Sequence, residues 1–344
     1  MKLLVVTQVM NQEHPVLGFF HHWVETFAPH FEHIHVICLE EGVHALPQNV
    51  TVHSLGKEKG ASRFMRVVKF LQLSWGLSKD YDAVFVHMNP EYLALSGDFW
   101  RFTGKKVGLW YNHEVGSIWL KLAQPIVHTL FYTSPYAYPA RYKNAQKMPA
   151  GIDTTLFTSG SAVRRADSIY FQGRISPAKR VHVLLEALRI VRRTRKSATV
   201  TLVGPEDAAY GATLRTVFKD LIEAGAVTFM GPKRNEETPA LYGAHAVSVN
   251  LTADGNFDKT VLESLACETP AIVSSRAFEG LVPDEWRIAE NDSEALAVAL
   301  LRALSLSAAQ LHTLGANCRN LVVQKHSLTS LADELAQAYN HRAH

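Results

Sequence analysis

The chain has 344 residues, of which 47% are hydrophobic and 19% charged, and its formal net charge is +3. This length suits about two domains with separate cores, and the small net charge gives no general reason to expect a nucleic-acid partner. Cys38, Cys267 and Cys318 are widely spaced and form no CxxC pair. They therefore argue against a disulfide scaffold or a structural zinc site and favour reduced thiols in the cytoplasm. No run reaches the ~20 apolar residues of a membrane span.

The first half of the chain alternates predicted strands and helices. Strands are predicted at 2–8, 33–40, 50–56, 82–88, 106–111 and 126–134. A first helix follows the loop that ends at Gly18, and a second is predicted at 60–78. The inward face of that second helix is predicted to consist of Phe64, Val67, Val68, Leu71 and Trp75. The alternation predicts a parallel sheet covered by helices.

A second series of strands and helices is predicted after a linker near 150–167. Its predicted strands are SIYFQG (168–173), ATVTLVG (198–204), AVTFMG (226–231), AVSVNLT (246–252) and AIVSS (271–275). A closing helix is predicted at 327–340 with an apolar stripe. Two Rossmann-like domains facing each other across a cleft are therefore expected, and ligands in such open sheets bind at the carboxyl ends of the strands.

The segment DGNFDKTVLESLACETPAIVSS (254–275) follows a predicted strand and contains a predicted helix from Thr260 to Cys267. A helix that starts just after a strand presents free N–H groups and a positive dipole end, which suit a phosphate. Two interpretations of Glu263 stay open. Either it contacts a ligand, or Thr260 and Glu263 form a capping box in which the glutamate binds only a backbone N–H.

A second candidate segment is GRISPAKR (173–180). Gly173 ends a predicted strand, Arg174 follows, and Lys179 lies at the start of the next predicted helix. Two cations on one loop can converge on a diphosphate, the arginine through forked hydrogen bonds and the lysine as a point charge. The alternative is an ordinary pair of surface cations beside a helix.

These segments, in this order, resemble the retaining glycosyltransferases of family 4, which have the GT-B fold. The resemblance is most specific over 148–303. The matching pieces are MPAGIDTTLF (148–157), GRISPAKR, TLVGPED (201–207), VTFMGPK (227–233) and DKTVLESLACETPAIVS (258–274). Over the first 147 residues it is carried by the strand order, the Gly18 loop, His113 and Ser134. It implies an acceptor-binding domain at 1–152, joined by the closing helix within 325–344, and a donor-binding domain at 160–324.

The resemblance also implies roles for single residues. Arg174 and Lys179 would hold the diphosphate of a nucleotide-sugar donor and stabilise the leaving nucleotide, while Glu263 would bind the ribose. His113 would approach the donor sugar, although a loop histidine without a function is the alternative interpretation. The remaining donor contacts are implied at Gly18, Gly173, Gly231, Pro232, Phe257, Asp258, Lys259 and Thr260.

The implied enzyme is a metal-independent hexosyltransferase without a cofactor. Its donor would be a UDP- or GDP-sugar, and its acceptor a glycan or lipid-linked molecule in the synthesis of cell-envelope polysaccharide or glycolipid. The expected location is the cytoplasm, with peripheral contact at the inner face of the membrane as a further hypothesis. That hypothesis depends on residues 57–79, which combine basic with aromatic side chains. The alternative is an ordinary helix packed on its own sheet.

The sequence departs from the family pattern at three positions. Gly255 stands where a first glutamate is usual, eight residues before Glu263, and only Gly18 represents a usual glycine pair. Glu268 replaces the glycine expected after the helix, where a left-handed residue would be strained by ~1–2 kcal/mol. The missing glutamate supports an alternative function, a nucleotide-sugar binding module that has lost turnover. A dehydrogenase is disfavoured because neither first strand leads into G-x-G-x-x-G.

Overall fold

Two parallel sheets form the framework of the chain, of which a computed structural model describes residues 1–340. The strands are β1 (Lys2–Met10), β2 (His33–Glu41), β3 (Val50–Ser54), β4 (Ala83–His87), β5 (Lys106–Trp110), β6 (Thr129–Tyr132), β7 (Ala145–Lys147), β8 (Arg165–Gln172), β9 (Thr199–Val203), β10 (Val227–Gly231), β11 (His245–Asn250) and β12 (Ala271–Val273). The helices are α1 (Phe19–Phe27), α2 (Arg63–Gly76), α3 (Glu91–Phe102), α4 (Ile118–Ala123), α5 (Val181–Val191), α6 (Ala208–Val217), α7 (Lys219–Glu223), α8 (Thr238–Gly243), α9 (Lys259–Ala266), α10 (Ser293–Ser305), α11 (Ala308–His326) and α12 (Leu328–Asn340).

The first unit comprises Met1–Gly151 and the chain from Leu328 onward. Its sheet has the order β3-β2-β1-β4-β5-β6-β7, and all neighbouring strands are parallel. Because successive side chains of a strand point to opposite faces, Leu3 and Val5 of β1 join one core and Leu4 and Val6 the other. Burial on both faces explains why these strands are nearly continuous apolar runs.

The closing helix α12 packs on the first unit, as the resemblance implied. Leu331, Leu335 and Tyr339 lie in the same core as Phe85. The Tyr339 hydroxyl donates a hydrogen bond of 2.8 Å to the Val84 carbonyl. Its ring approaches β5 so closely that a Cβ at position 108 would collide with the hydroxyl, which explains the glycine there.

The predicted inward face of α2 is wrong for three of its five residues, whereas Leu71 packs against the core and Val67 is half-buried. Phe64 and Trp75 are 76% and 49% exposed, and Val68 is exposed as well. The buried residues are Phe70 and Ser74 instead. Apolar residues occur on several faces of this helix, so their spacing did not single out one face. The small Ser74 lets the Tyr81 hydroxyl reach its carbonyl, and Phe70 packs edge-on against Trp100.

The second unit is Ile152–Ser327, with the parallel strand order β10-β9-β8-β11-β12. The chain proceeds from β8 through β9 and β10 on one side, then crosses back to place β11 and β12 on the other. The order therefore reverses between β8 and β11, which are neighbours. In open α/β sheets, ligands bind beyond the carboxyl ends of the strands at such a reversal.

Within residues 1–340 no single helix is long and apolar enough to cross a membrane, although α10 and α11 reach that length and composition together, bent by 111°. All three cysteines are free and buried. The expectation of unpaired thiols is thus confirmed for the folded chain.

Candidate functional site

The two candidate segments of the sequence meet at the reversal of strand order in the second unit. GRISPAKR follows β8, and the loop that leads into α9 follows β11. Lys179 lies in a short 3₁₀ turn, and its Nζ donates a charge-assisted hydrogen bond to Asp258 and a second bond of 3.2 Å to Thr252 Oγ1. The adjacency of β8 and β11 brings these residues together across 79 positions of sequence.

Asp258 is the centre of this polar network. The Asn250 amide donates 3.1 Å bonds to the Asp258 carboxylate and to Thr260 Oγ1. The Thr252 hydroxyl donates to the same carboxylate oxygen at 3.2 Å. Burial disfavours the carboxylate, but the charge and hydrogen bond of Lys179 outweigh that effect, so the pKa of Asp258 is lowered. The aspartate is therefore ionised and holds the lysine in place.

Arg174 lies apart from this network. Its side chain is exposed and makes no hydrogen bond or ion pair within the part of the chain that is described. Gly173 before it has a φ of 149°. The neighbouring Gly204 lies against the Gly173 carbonyl, where any Cβ would collide. The ends of β8 and β9 are thus closely packed beside Arg174, whose exposed guanidinium is available for a ligand.

The start of α9 excludes the capping-box interpretation of Glu263. Asp258 is the N-cap residue, and its carboxylate accepts a hydrogen bond from the Thr260 N–H at 3.3 Å. Thr260 is therefore inside the helix, and Glu263 lies two residues beyond the N3 position that a capping box requires. The Glu263 carboxylate instead accepts a bond of 3.4 Å from the Tyr242 hydroxyl.

Lys259 and Glu263 occupy one face of α9, four residues apart. Burial raises the pKa of Glu263 to about 7, while the charge of Lys259 opposes the shift. Burial likewise lowers the pKa of Lys259 to about 7, with Glu263 opposing. Lys259 also lies at the positive end of the helix dipole, where a cation is disfavoured and an anion is favoured. A bound anion at this end would therefore favour the charged form of Lys259.

The other predicted donor contacts in the second unit lie at strand ends or in the loop before α9. Gly231 ends β10 with a φ of 72°, and its carbonyl accepts a bond of 3.0 Å from the Gly204 N–H. Pro232 follows and is exposed. Phe257 stacks on Phe278, with ring centroids 4.9 Å apart. The Phe257 ring therefore anchors the loop that precedes α9.

Gly18 and His113 belong to the first unit. Gly18 precedes α1 with ordinary helical dihedral angles, but a Cβ there would come within 2.8 Å of the His14 carbonyl oxygen. Lack of space therefore explains this glycine. His113 is exposed, its ring lies 5.3 Å from that of Tyr111, and its carbonyl accepts a bond from the Tyr138 N–H.

Two departures from the family pattern have a backbone explanation. Gly255 has a φ of 86°, a left-handed conformation that a glutamate would adopt only with strain. Glu268 has a φ of 56° after α9, which confirms the strained left-handed position expected there. Its carbonyl accepts a bond of 2.8 Å from Arg164, and its side chain lies 3.5 Å from His312. These contacts help to hold the strained turn.

Arg180 and Glu290 were missed by the sequence analysis. Arg180 is ion-paired with Glu290, and its other guanidinium nitrogen donates a bond of 2.8 Å to the Leu251 carbonyl. Glu290 also accepts a hydrogen bond from the Asp254 N–H. The pair thus ties the loop after β11 to the start of α5. Arg180 stands next to Lys179 in GRISPAKR, but nothing in the sequence near Glu290 indicated its partner.

Comparison with protein families identifies part of the chain. Residues 166–306 match the family model described as "Glycosyl transferases group 1". This stretch includes both segments that meet at the reversal of strand order. Comparison with curated proteins found no match.

Solved structures resemble the whole chain in fold. The Anabaena protein HepE, in complex with UDP and glucose, has a TM-score of 0.76 at 16% identity, over 99% of this chain and 100% of that chain. Sucrose-phosphate synthase from Thermosynechococcus elongatus has a TM-score of 0.78 at 19% identity, over 98% of both chains. WaaG, a glycosyltransferase involved in lipopolysaccharide biosynthesis, has a TM-score of 0.69 at 13% identity, over 99% of this chain and 100% of that chain. The chain therefore has the GT-B fold, and the stretch 166–306 is similar to the group 1 glycosyltransferases.

Proposed function

We propose that the protein is a retaining glycosyltransferase of family 4 that moves a hexose from a nucleotide-diphosphate donor to an acceptor hydroxyl. The observation that carries this proposal is the meeting of Lys179, Asp258 and the start of α9 at the reversal of strand order, inside the matched stretch. The bond from the sugar C1 to the diphosphate oxygen breaks, a bond from C1 to the acceptor oxygen forms, and the proton of the acceptor hydroxyl passes to the departing diphosphate. Negative charge then builds up on the departing diphosphate.

The residues of this site suit that charge. Arg174 supplies an exposed guanidinium without an ion-pair partner among the described residues, and Lys179 supplies an ammonium held by Asp258. Fixed donors aimed at developing charge stabilise a transition state because they need no reorganisation. In this proposal the two cations do the work of a divalent metal, so activity needs none. Lys259 and the α9 dipole favour the same anion.

The donor is proposed to be a UDP- or GDP-sugar. Support comes from the structurally similar HepE, which was solved with UDP and glucose. Glu263 would accept hydrogen bonds from the ribose, and Gly231 and Pro232 would lie beside the base. His113 is retained as the proposed catalytic residue of the first unit, and loss of transfer in His113→Ala is the expected outcome.

The acceptor is proposed to be a glycan or a lipid-linked molecule of the cell envelope, glycosylated in the cytoplasm. The similar WaaG is involved in lipopolysaccharide biosynthesis. Peripheral contact with the inner face of the membrane through 57–79 is part of this proposal. It is supported by the exposure of Phe64, Met65 and Trp75 on a helix that also carries cations.

The test is incubation of the purified protein with a panel of UDP-, GDP- and ADP-sugars, in EDTA and with added magnesium. Nucleotide release in EDTA from one donor is expected, and the anomeric configuration of the transferred sugar is then assigned by NMR. Release only with magnesium would contradict the metal-independent site. An inverted product would contradict the retaining mechanism.

A nucleotide-sugar binding module without turnover is the second candidate. It is favoured by Gly255, whose left-handed backbone stands where the family usually has a carboxylate. Calorimetry of UDP binding separates the two functions. Tight binding without donor hydrolysis or transfer, across the whole panel, would establish the binding module.

A further inference from the structure

A cavity of about 300 Å³ opens in the first unit, apart from all the residues assigned above to the nucleotide-sugar donor. Gln8 of β1 and Asn89, two residues after β4, both line it. β1 and β4 are neighbours, and the strand order of this sheet reverses between them. The cavity therefore occupies in the first sheet the kind of position where open α/β sheets bind ligands.

Two arginines of α2 line this cavity, Arg63 and Arg66. Among residues 1–340, neither guanidinium has a hydrogen-bond or ion-pair partner. The Nε atom of Arg66 is itself buried without a partner. A buried donor left unpaired costs free energy, and an incoming acceptor would recover it. Glu91 is the one acidic group that lines the cavity, so the arginines leave an excess of positive charge.

The rest of the lining combines amide groups with an apolar wall. Gln8 Nε2 donates a bond of 2.8 Å to Asn89 Oδ1, which leaves Gln8 Oε1 as an acceptor and Asn89 Nδ2 as a donor. Met88, between β4 and Asn89, has a φ of 64°, an uncommon conformation for a residue with a side chain. Leu39, Leu55 and Leu95 supply apolar surface. Amides and an apolar wall suit the hydroxyls and the carbon face of a sugar ring.

We infer that this cavity binds a monosaccharide unit that carries an oxyanion, either a phosphate or a carboxylate, as the anionic part of the acceptor. Arg63 and Arg66 pair with the oxyanion through forked hydrogen bonds. Gln8 and Asn89 bind ring hydroxyls. The assignment of the ligand as the acceptor depends on the proposed glycosyltransferase function, whereas recognition of the anionic sugar depends on the cavity alone.

The test is calorimetric titration of the full-length protein with glucose 6-phosphate, glucuronate and glucose. At least one anionic sugar is expected to bind about ten-fold or more tightly than glucose, because hydrogen bonds to charged groups are the stronger class. Comparison of the two anions distinguishes a phosphate from a carboxylate. No saturable binding of either anion at millimolar concentration, or equal binding of glucose, would overturn the inference.

Variants locate the binding. Arg66→Gln is expected to weaken the anion about ten-fold, and Arg66→Lys to weaken it less. Lys69→Gln removes one cation from an exposed position of the same helix outside the cavity, and should leave affinity unchanged. Equal effects of Arg66→Gln and Lys69→Gln would overturn the assignment to this cavity.

UDP binding is the control for folding and for the proposed function. Arg66→Gln should retain the wild-type UDP affinity, because the proposed diphosphate and ribose contacts lie in the second unit and neither Gly18 nor His113 lines the cavity. If the wild type binds an anionic sugar but no nucleotide, the glycosyltransferase proposal fails while the cavity still recognises an anion. If it binds nucleotide but no anionic sugar, the cavity inference alone fails.

Discussion

Arg174 and Lys179 lie five residues apart on one loop, yet their surroundings differ. Lys179 is held by Asp258 and Thr252, so it contributes to the folded loop before any ligand arrives. Arg174 is exposed and has no partner within residues 1–340. Both residues are proposed to bind the diphosphate. Removal of Lys179 should also destabilise the folded protein, whereas removal of Arg174 should not.

We expect Arg174→Ala and Lys179→Ala each to lower transfer about 10²–10³-fold, the usual effect of losing one donor to a developing anion. Arg174→Ala should leave the melting temperature unchanged, whereas Lys179→Ala should lower it because Asp258 loses its ion-pair partner. Kinetics and thermal unfolding measure the two effects. Arg193→Ala, at an exposed position on the same unit, is the control. Wild-type turnover in a folded Arg174→Ala variant would contradict the diphosphate assignment.

The buried Glu263 predicts that the stability of the fold depends on pH. Its pKa in the folded protein is raised from 4.5 to about 7, mainly by burial. The folded state therefore binds more protons than the unfolded state in this window, and stability is lost as pH rises through it. Glu263→Gln removes this loss. The free energy of unfolding of the wild type, relative to that of the variant, should fall by on the order of 1–3 kcal/mol from pH 4.5 to pH 7. Urea unfolding at the two pH values measures this difference.

Nucleotide affinity separates a ligand role of Glu263 from a structural one. At pH 8 the carboxylate is ionised, and Glu263→Gln should weaken UDP binding about ten-fold with little change in melting temperature. Ser264 is also buried on α9, and Ser264→Ala is a control for disturbance of the helix. Unaltered UDP affinity in Glu263→Gln would restrict this glutamate to packing.

Among the secondary-structure elements, α2 presents exposed apolar side chains that pack in neither core of the first unit. Phe64 and Met65 are 76% and 60% exposed at the start of the helix. Lys57, Lys59 and Lys69 lie in the same segment. Exposed aromatic residues beside cations are typical of a helix that lies on an anionic membrane surface.

We expect the protein to co-sediment with vesicles that contain anionic lipid at low salt, and to be released at high salt. Phe64→Glu with Met65→Glu should abolish this binding, because each change replaces apolar contact by repulsion. Val163→Glu, at a position 85% exposed in the second unit, adds a charge elsewhere and should have little effect. Wild-type protein that stays in the supernatant at low salt would exclude the membrane contact.

At the scale of the whole molecule, the last helix completes the first unit. α12 follows the second unit in sequence, yet Leu331, Leu335 and Tyr339 are part of the first unit's core. The first unit therefore finishes folding only when the end of the chain is available. Its stability should respond to changes in α12 as it would to changes in its own sheet.

Leu335→Ala is expected to lower the free energy of unfolding of the first unit by ~2–5 kcal/mol, the usual cost of a buried leucine. Gln337→Ala, at an exposed position of the same helix, should change it by less than ~0.5 kcal/mol. Tryptophan fluorescence during urea unfolding reports mainly this unit, which holds all the tryptophans except Trp286. Equal midpoints for the two variants would contradict the role of α12.

Features that depend on neighbouring residues could be predicted from the sequence. The alternation of strands and helices predicted two parallel sheets. Such sheets are buried on both faces, which accounts for the nearly continuous apolar runs of their strands. The left-handed position of Glu268 was predicted because a helix ended there. Arg174 and Lys179 were singled out because they lie on one short loop after a strand.

Contacts between distant residues depended on tertiary structure. Asp258 is the partner of Lys179 because β8 and β11 are neighbours, and no local pattern encodes the order of strands. The buried face of α2 was mispredicted because apolar residues on several faces compete, and only packing on the sheet selects Phe70 and Ser74. The pKa shifts of Lys259 and Glu263 arise from burial, which exists only once the helix is packed in its unit.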